Sequence, residues 1–200
     1  MKLNLIASIP LRPVIERMLS ASPHRLEPVY LPAARADRPA FLRERIARAE
    51  GFDALLLADG AELLDGEGLA AGAVPLVLPR VHNCVSLLLG GAPRYRGLFG
   101  LHGGELCWRA PLCAEELFFT PRAGCSALCY LADTTLGLPD ESIEARAAAR
   151  KNGWDYFAEE IDPALLARLL AGAWEGDDFV TVPAGGRVVP TYTQELFRAE

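Results

Sequence analysis

The sequence predicts an α/β protein with a mostly parallel central sheet and helices on both of its faces. Three apolar runs of five residues each supply the candidate central strands, at 3–7, 54–58 and 74–78. The run 54–58 is apolar throughout, and Asn4 is the only polar residue in the other two; runs this apolar are typical of strands buried on both faces. Helical patterns lie between the strands, and this alternation favours parallel βαβ units. We therefore expect a three-layer, doubly wound fold of the Rossmann-like or flavodoxin-like kind.

The first half of the chain divides into strands and helices in order. After the first strand, a helix that begins near Pro13 buries four apolar side chains: Val14, Ile15, Met18 and Leu19. Residues 29–31 predict the second strand. Asp37 is placed to cap a second helix, with Pro39 in its first turn, and Gly51 ends that helix.

The second half of the chain is less regular. Four segments predict further elements: a strand at 105–109, a helix at 140–152, a strand at 156–158 and a helix at 164–171. The runs 179–182 and 188–189, joined through a glycine-containing turn, predict a C-terminal hairpin. Residues 111–137 have no clear pattern. The length of 200 residues and the hydrophobic content of 51% suit a single domain over residues 1–200.

The charge and hydropathy of the chain exclude several classes of partner and cofactor. The formal net charge is −6 and the basic residues are scattered, so we expect no nucleic acid partner. No apolar stretch reaches the ~18 residues of a membrane helix, and Pro10 interrupts the short apolar N-terminus. We expect no membrane association and a cytoplasmic location. The glycine pairs do not follow the strand, glycine loop and helix order of a nucleotide site, so we expect no nucleotide cofactor.

The cysteines are Cys84, Cys107, Cys113, Cys125 and Cys129. Their number is odd and none forms a Cys-x-x-Cys pair, so we expect neither a disulfide framework nor a zinc ribbon. Cys107, beside Trp108 in a predicted strand, suits core packing. Cys125 and Cys129 are four residues apart and would share a helix face, a spacing that serves metal binding and a packed interface equally well.

The segment Arg80-Val81-His82-Asn83-Cys84 carries the main candidate chemistry. It lies between the strand at 74–78 and a short predicted helix at 85–89. An imidazole and a thiol two residues apart can bind a metal, or can act with Cys84 as nucleophile and His82 as base. The positive end of the following helix favours the thiolate. The structural alternative is a small buried apolar residue at Cys84 and a histidine bonded to a loop carbonyl.

Further polar residues lie where the other parallel strands end. Ser8 follows the first strand, and Asp59 and Glu62 follow the apolar run after it. Because the carboxyl ends of neighbouring parallel strands meet at one edge, we expect these residues to share a crevice with His82 and Cys84. His82 and Cys84 are the expected metal ligands, since a mixed nitrogen, sulfur and carboxylate set suits zinc or a similar divalent ion. The expected ligand-binding residues are Ser8, Asp59, Glu62, Arg80 and Asn83.

The run Pro79-Arg80-Val81-His82-Asn83-Cys84, followed by Leu87-Leu88-Leu89-Gly90, resembles the family called domain of unknown function 1638, found mostly in anaerobic bacteria and methanogenic archaea. Tyr95, Gly103-Gly104 and the segment 170–174 are weaker matches. The family has no established activity. Its frequent neighbourhood with corrinoid-dependent methyl transfer genes implies a divalent metal or corrinoid as cofactor, and a small molecule or a corrinoid or methyltransferase protein as partner.

The chain departs from the family pattern at the presumed ligand positions. Ser8 and Glu62 stand where the family tends to carry cysteines, and Asn83 stands where aspartate is usual. A site of three thiols is therefore not carried over to this chain.

Three functions follow from these observations. The first is a small-ligand or metal-binding accessory protein, linked to corrinoid-dependent one-carbon metabolism. The second is a transferase-type enzyme that uses Cys84 and His82. The third is a non-catalytic interaction protein that has lost its site, an alternative motivated by the departures from the family pattern. The sequence contains no indication of the oligomeric state.

Overall fold

The computed structural model describes residues 1–32, 34–112, 124–191 and 193–200. Its strands are β1 (Lys2–Ala7), β2 (Arg25–Tyr30), β3 (Ala54–Leu57), β4 (Leu69–Ala70), β5 (Leu76–Pro79), β6 (Leu106–Arg109), β7 (Ala127–Ala132), β8 (Asp155–Glu160), β9 (Phe179–Val182), β10 (Arg187–Pro190) and β11 (Phe197–Ala199). Its α-helices are α1 (Arg12–Met18), α2 (Arg38–Ala47), α3 (Cys84–Leu88), α4 (Ala92–Leu101), α5 (Ser142–Asn152) and α6 (Ala164–Leu170). Short 3-10 turns cover Ile9–Leu11, Leu19–Ala21, Arg35–Asp37 and Gly60–Leu63.

The central sheet has the strand order β2-β1-β3-β5-β9. The first four strands are parallel, and β9 is antiparallel to β5. Leu5 of β1 pairs with Leu56 of β3, and Leu56 pairs in turn with Val77 of β5. The prediction that the runs 3–7, 54–58 and 74–78 share a mostly parallel sheet is confirmed.

Both faces of this sheet are buried at its centre, because β3 and β5 are apolar at every position and β1 is apolar from Leu3 to Ala7 except at Asn4. Leu5 and Leu56 face a core that also contains apolar residues of α1, α3 and α6. Leu55 and Leu57 face the opposite core, to which α2 contributes Leu42 and Ile46. Successive residues of a strand point to opposite faces, so an uninterrupted apolar strand requires cover on both sides.

A second parallel sheet, of order β6-β7-β8, lies on the first of these cores. Trp108 of β6 and Cys129 and Leu131 of β7 belong to the same buried cluster as Leu5. A third, antiparallel sheet of order β11-β10-β4 covers the opposite face through Val188. The prediction of a single domain over residues 1–200 stays a prediction.

The predicted C-terminal hairpin is wrong. β9 pairs with β5, with Val180 opposite Leu78, whereas β10 pairs with β4 and β11. The sequence pattern of two short strands joined by a tight turn is the same whether the strands pair with each other or with strands of two different sheets. The difference arises because β5 has an open apolar edge that β9 completes. Gly185, with φ of 75°, lies in the turn where the chain leaves the central sheet.

The expectation of no disulfide is also wrong, because Cys107 and Cys125 form one. Pairing of Cys107 with Leu128 between β6 and β7 sets the register that brings Cys125, just before β7, within 6.0 Å of Cys107 between Cα atoms. Cys125 and Cys129 do not share a helix face, because Cys129 lies inside β7. Cys113 lies outside the described residues. Disulfides are uncommon in cytoplasmic proteins, and the cytoplasmic location stays a prediction.

None of the helices in the described ranges is both long enough and apolar enough to cross a membrane.

The turn that follows β3 is clamped onto the segment that follows β5. The amides of Ala61 and Glu62 donate to the carbonyl oxygens of Val81 and His82 at 2.9 and 3.0 Å. Gly60 has φ of 56°, and a Cβ atom there would lie 2.3 Å from the carbonyl oxygen of Val81. Only glycine allows this approach, so Gly60 sets the distance between two loops that carry polar side chains.

Replacing Gly60→Ala is expected to lower the free energy of unfolding by about 2 to 4 kcal/mol, through left-handed strain and displacement of the Val81 backbone. Gly51→Ala is the matched control, because Gly51 also has a positive φ of 85° but no atom within 4 Å of its Cβ position. It should lose only about 1 kcal/mol. Urea denaturation of both variants measures the difference, and equal losses would show that the close approach carries no cost.

Candidate metal centre

The polar residues after the parallel strands meet at one point in the fold. From β1 the chain crosses to β2 on one side, and it then returns to form β3 on the other side of β1. The connections therefore diverge between β1 and β3, which is where open α/β sheets form their ligand crevices. Ser8 follows β1, Asp59 follows β3, and Cys84 begins α3 after β5.

Asp59 is completely buried at this point. Its Oδ2 accepts a hydrogen bond of 2.7 Å from the backbone amide of Ser8. The Ser8 hydroxyl lies beside this carboxylate and favours its ionised form, but neither Asp59 Oδ1 nor Ser8 Oγ makes a hydrogen bond of normal geometry to a described residue. Burial raises the pKa of Asp59 to about 6, although the interaction with Ser8 works in the opposite direction.

Asp59, Glu62 and Cys84 converge. A carboxylate oxygen of each acid and the Cys84 Sγ all lie within 4.8 Å of one another. Ligand atoms around a tetrahedral zinc ion lie roughly 3.5 Å apart, given bonds of about 2.0 to 2.3 Å. Side-chain adjustments of about 1 Å would therefore bring all three donors onto one ion. The three donors are a thiol and two carboxylates, and two of the three residues are buried.

Cys84 is the first residue of α3 and is only 9% exposed. The preceding Asn83 is extended, and its side-chain oxygen accepts a hydrogen bond of 3.0 Å from the Ser86 amide. The Asn83 side-chain nitrogen donates to the Tyr95 hydroxyl at 3.3 Å. Asn83, which the sequence predicts as a ligand-binding residue, thus caps the helix that presents Cys84. Its role in the structure is to fix this loop.

His82 lies outside the converging group. Its ring packs against Tyr95 of α4, with the ring centroids 5.3 Å apart. Burial, together with the nearby charge of Arg96, lowers the pKa of His82. The expectation that His82 and Cys84 ligate one metal together is not matched by the group of converging ligand atoms, which contains Cys84 without His82. The reason is the packing of the imidazole on α4.

Arg80 is turned towards the C-terminal strand. Its Nη1 donates to the carbonyl oxygens of Glu195 and Phe197 at 2.6 and 2.5 Å, and its guanidinium lies over the Phe197 ring. These contacts join the end of β5 to β11. The structure therefore accounts for Arg80 by contacts within the fold, although the sequence predicts it as a ligand-binding residue.

Two arginines that the sequence analysis did not single out adjoin the site. Glu62 Oε1 lies 3.0 Å from Nη2 of Arg35 and 3.4 Å from Nη1 of Arg38. These residues help to line a cleft of about 240 Å³ beside Glu62. Arg38 is the first residue of α2, where acidic side chains are normally favoured. An arginine at the start of a helix indicates an acidic partner elsewhere in the fold, and for Arg38 that partner is Glu62.

Comparison of the chain with models of protein families, with curated proteins and with solved structures found no match. The function is therefore inferred from the chemistry of the residues at this site.

Replacing Asp59→Asn is expected to stabilise the metal-free protein at pH 7.5 by about 1 to 3 kcal/mol. The carboxyl pKa is about 6 in the folded state and 3.8 in the reference state. The folded state therefore holds the proton more tightly, and the contribution of Asp59 to stability falls as pH rises from about 4 through 6. Asparagine keeps an acceptor for the Ser8 amide without a buried charge.

Urea denaturation at a series of pH values from about 3.5 to 8 tests this expectation. The gain in the free energy of unfolding of Asp59→Asn over wild type should appear only above about pH 4. Glu50→Gln, at an exposed carboxylate, is the control and should change stability little at any pH. An Asp59→Asn variant that is less stable than wild type at pH 7.5 would contradict the argument that the buried carboxylate is costly.

Proposed function

We propose that this chain binds a divalent transition-metal ion, with zinc as the best-suited ion, through Asp59, Glu62 and Cys84. The observation that carries the proposal is the convergence of their three ligand atoms within 4.8 Å around a fully buried carboxylate. An ionised carboxylate in the interior needs compensating charge. Asp59 Oδ1 has no hydrogen bond of normal geometry to a described residue, and the Ser8 hydroxyl beside it carries no charge. A cation at this point would supply the compensating charge.

The types of donor atom favour zinc over magnesium or calcium. Magnesium and calcium prefer sites made of oxygen atoms only, whereas zinc accepts thiolate and carboxylate together. Three protein ligands leave a fourth position for water or a small molecule, the arrangement of catalytic and ligand-binding zinc sites. The buried Ser8 Oγ adjoins Asp59 and is a further oxygen for that position or for a hydrogen bond to its occupant.

Glu62 is shared between the proposed ion and the two arginines. Arg35 is 70% exposed at its side chain, so its ion pair with Glu62 contributes little and is readily lost. Arg38 is 15% exposed and also donates to the Pro32 carbonyl at 3.2 Å, so it stays in place. Competition from Arg38 for the Glu62 carboxylate weakens the affinity for the metal relative to a site with no cation beside it.

The strand order gives further support. The order β2-β1-β3-β5 for the parallel strands is that of flavodoxin-like sheets, which bind ligands at the divergence between the first and third strands. We therefore propose a flavodoxin-like fold, as we propose the metal site. Membership of the domain of unknown function 1638 family, and with it a link to corrinoid-dependent one-carbon metabolism, is a proposal that rests on the sequence resemblance alone.

A second candidate function is group transfer with Cys84 as nucleophile. One observation favours it, since the Asp59 carboxylate within 4.8 Å of the thiol has a pKa of about 6, in the range suited to a general base near neutral pH. The sequence-based version of this candidate assigns the base to His82. The geometry supports Asp59 better for that role.

Zinc titration is the direct test of the proposed site. Wild-type protein should bind one Zn²⁺ per chain in isothermal titration, and Cys84→Ser and Asp59→Asn should each weaken binding by about 100-fold or more, because each removes a ligand. Cys129→Ala is the matched control, because Cys129 is also buried and outside the disulfide but lies in β7. It should bind Zn²⁺ like wild type.

A second readout identifies the ligand. Co²⁺ in place of Zn²⁺ should show thiolate-to-cobalt charge-transfer absorption in wild type and Cys129→Ala, and the absorption should be lost in Cys84→Ser. Wild-type protein that binds neither ion would overturn the proposal. Cobalamin added to the same samples tests the corrinoid link, through the change in its absorption spectrum.

The group-transfer candidate predicts selective alkylation. Iodoacetamide should modify Cys84 faster than Cys129 at pH 7.5, because burial raises the pKa of the Cys129 thiol to about 12 and keeps it protonated. Asp59→Asn should slow the reaction at Cys84. Peptide mass spectrometry measures both rates. Equally slow labelling of the two thiols, together with no metal binding, would favour the non-catalytic interaction protein.

A further inference from the structure

The cleft beside Glu62 lies between the first turns of α2 and the chain that follows β3. Its volume of about 240 Å³ is below the roughly 300 to 1,000 Å³ of pockets for drug-sized ligands, so it suits a smaller molecule. Of the described residues, Glu62 alone belongs both to the lining of this cleft and to the proposed metal ligands. The metal site and the cleft therefore meet at one carboxylate.

The lining of the cleft has a surplus of positive charge. Within the described part of the chain it contains three arginines and two acids, which are Arg35, Arg38, Arg43, Glu62 and Asp65. Arg43 Nη2 lies 3.7 Å from Asp65 Oδ2, and both side chains are exposed, so this pair is weak. Arg38 is far less exposed and stands at the positive end of α2. A concave surface with this charge attracts an anion.

Zinc at the proposed site would release both arginines that contact Glu62. Oε1 of Glu62 lies 3.0 Å from Arg35 and 3.4 Å from Arg38. When Glu62 ligates zinc, its charge is drawn to the ion and its pairing with both guanidinium groups weakens. When the ion, its three ionised ligands and the other charged lining residues are counted together, the described groups have one positive charge in excess. A ligand with a single negative charge would neutralise it.

Apolar side chains form much of the remaining lining of the cleft. Leu42 of α2 and Leu63 are buried, whereas Leu64 and Leu69 are partly exposed. Exposed apolar surface is stabilised by contact with hydrocarbon. An organic anion therefore suits this cleft better than an inorganic one.

We propose that the cleft binds a small organic carboxylate, with its carboxylate group on Arg38 and Arg35 and its hydrocarbon part against the leucines. A carboxylate has a single negative charge at neutral pH, which matches the excess, whereas a phosphate monoester has about two. Guanidinium groups bind carboxylates through paired N–H donors. This inference names the class of ligand for the proposed zinc site and rests on that proposal, because zinc is what withdraws Glu62 from the arginines.

Titration with butanoate tests the class of ligand. Zinc-loaded wild-type protein should bind butanoate more tightly than acetate, which lacks most of the hydrocarbon part, and more tightly than propyl phosphate, which has the extra charge. Butylammonium should not bind. Metal-free wild type should bind butanoate about tenfold more weakly, because Glu62 then occupies the arginines. By linkage, saturating butanoate should tighten zinc binding by the same factor. Isothermal titration calorimetry measures these affinities.

Two variants locate the bound carboxylate. At saturating zinc, Arg38→Gln should weaken butanoate binding by about tenfold or more. Arg48→Gln is the matched control at the end of the same helix, because Arg48 pairs with Glu44 and does not line the cleft. It should bind like wild type. If Arg38→Gln fails to fold, Arg35→Gln replaces it, since this side chain is 70% exposed, and the loss should be about threefold.

Three results would overturn the proposal: no binding of butanoate by zinc-loaded wild type, equal binding by wild type and the variant in the cleft, or tighter binding of propyl phosphate. Equal binding would indicate a carboxylate held by the zinc ion alone.

Glu62→Gln separates this proposal from the zinc site. In metal-free protein it removes the competing carboxylate, so it should bind butanoate about tenfold more tightly than metal-free wild type. If wild type binds no zinc, the proposed function fails, and a gain in Glu62→Gln still supports the carboxylate site. If wild type binds zinc and neither protein binds butanoate, the carboxylate site fails and the zinc site stands.

Discussion

The parallel pairing of β1 with β3 is the constraint on which the rest of the site depends. Both strands are buried on both faces, and their carboxyl ends emerge side by side where the connections diverge. Any polar residue placed immediately after them is drawn into the interior. The hydrogen bond from the Ser8 amide to Asp59 joins the two strand ends, and it holds a carboxylate in a place where water does not reach it. The chemistry of the site follows from that burial.

A buried carboxylate with a raised pKa is a loss for stability in the absence of a cation, and Asp59 is one of the few polar residues in an otherwise apolar core. Structural needs do not explain it, because an asparagine would serve the Ser8 amide equally well. A buried and costly polar group at the end of a strand is typical of a binding site, where a ligand offsets the cost.

Much of the fold was predictable, because strands that are apolar on both faces must be buried on both faces. The spacing of apolar residues predicts the three central strands. That spacing, together with the residues that begin or end a helix, also predicts the helix that begins near Pro13 and the helix that ends at Gly153. The predicted pairing of the runs 179–182 and 188–189 with each other is wrong. Strand propensity identifies β9, but its partner is chosen by the open edge of β5, which lies a hundred residues away in the sequence. The same limit applies to the Cys107–Cys125 disulfide, which depends on the register of β6 and β7.

The sequence by itself determined the α/β class, the buried parallel strands and the position of Cys84 at a helix start after the third of these runs, because local period and capping residues decide such features. It also determined that Ser8, Asp59 and Glu62 follow strands that end at one edge. Only the tertiary structure decided which of them meet. Glu62 and Asp59 converge with Cys84, whereas the His82 ring packs on Tyr95 and Arg80 binds the carbonyls near β11. Side-chain direction at a loop depends on the neighbours against which it packs, and those neighbours come from distant segments of the chain.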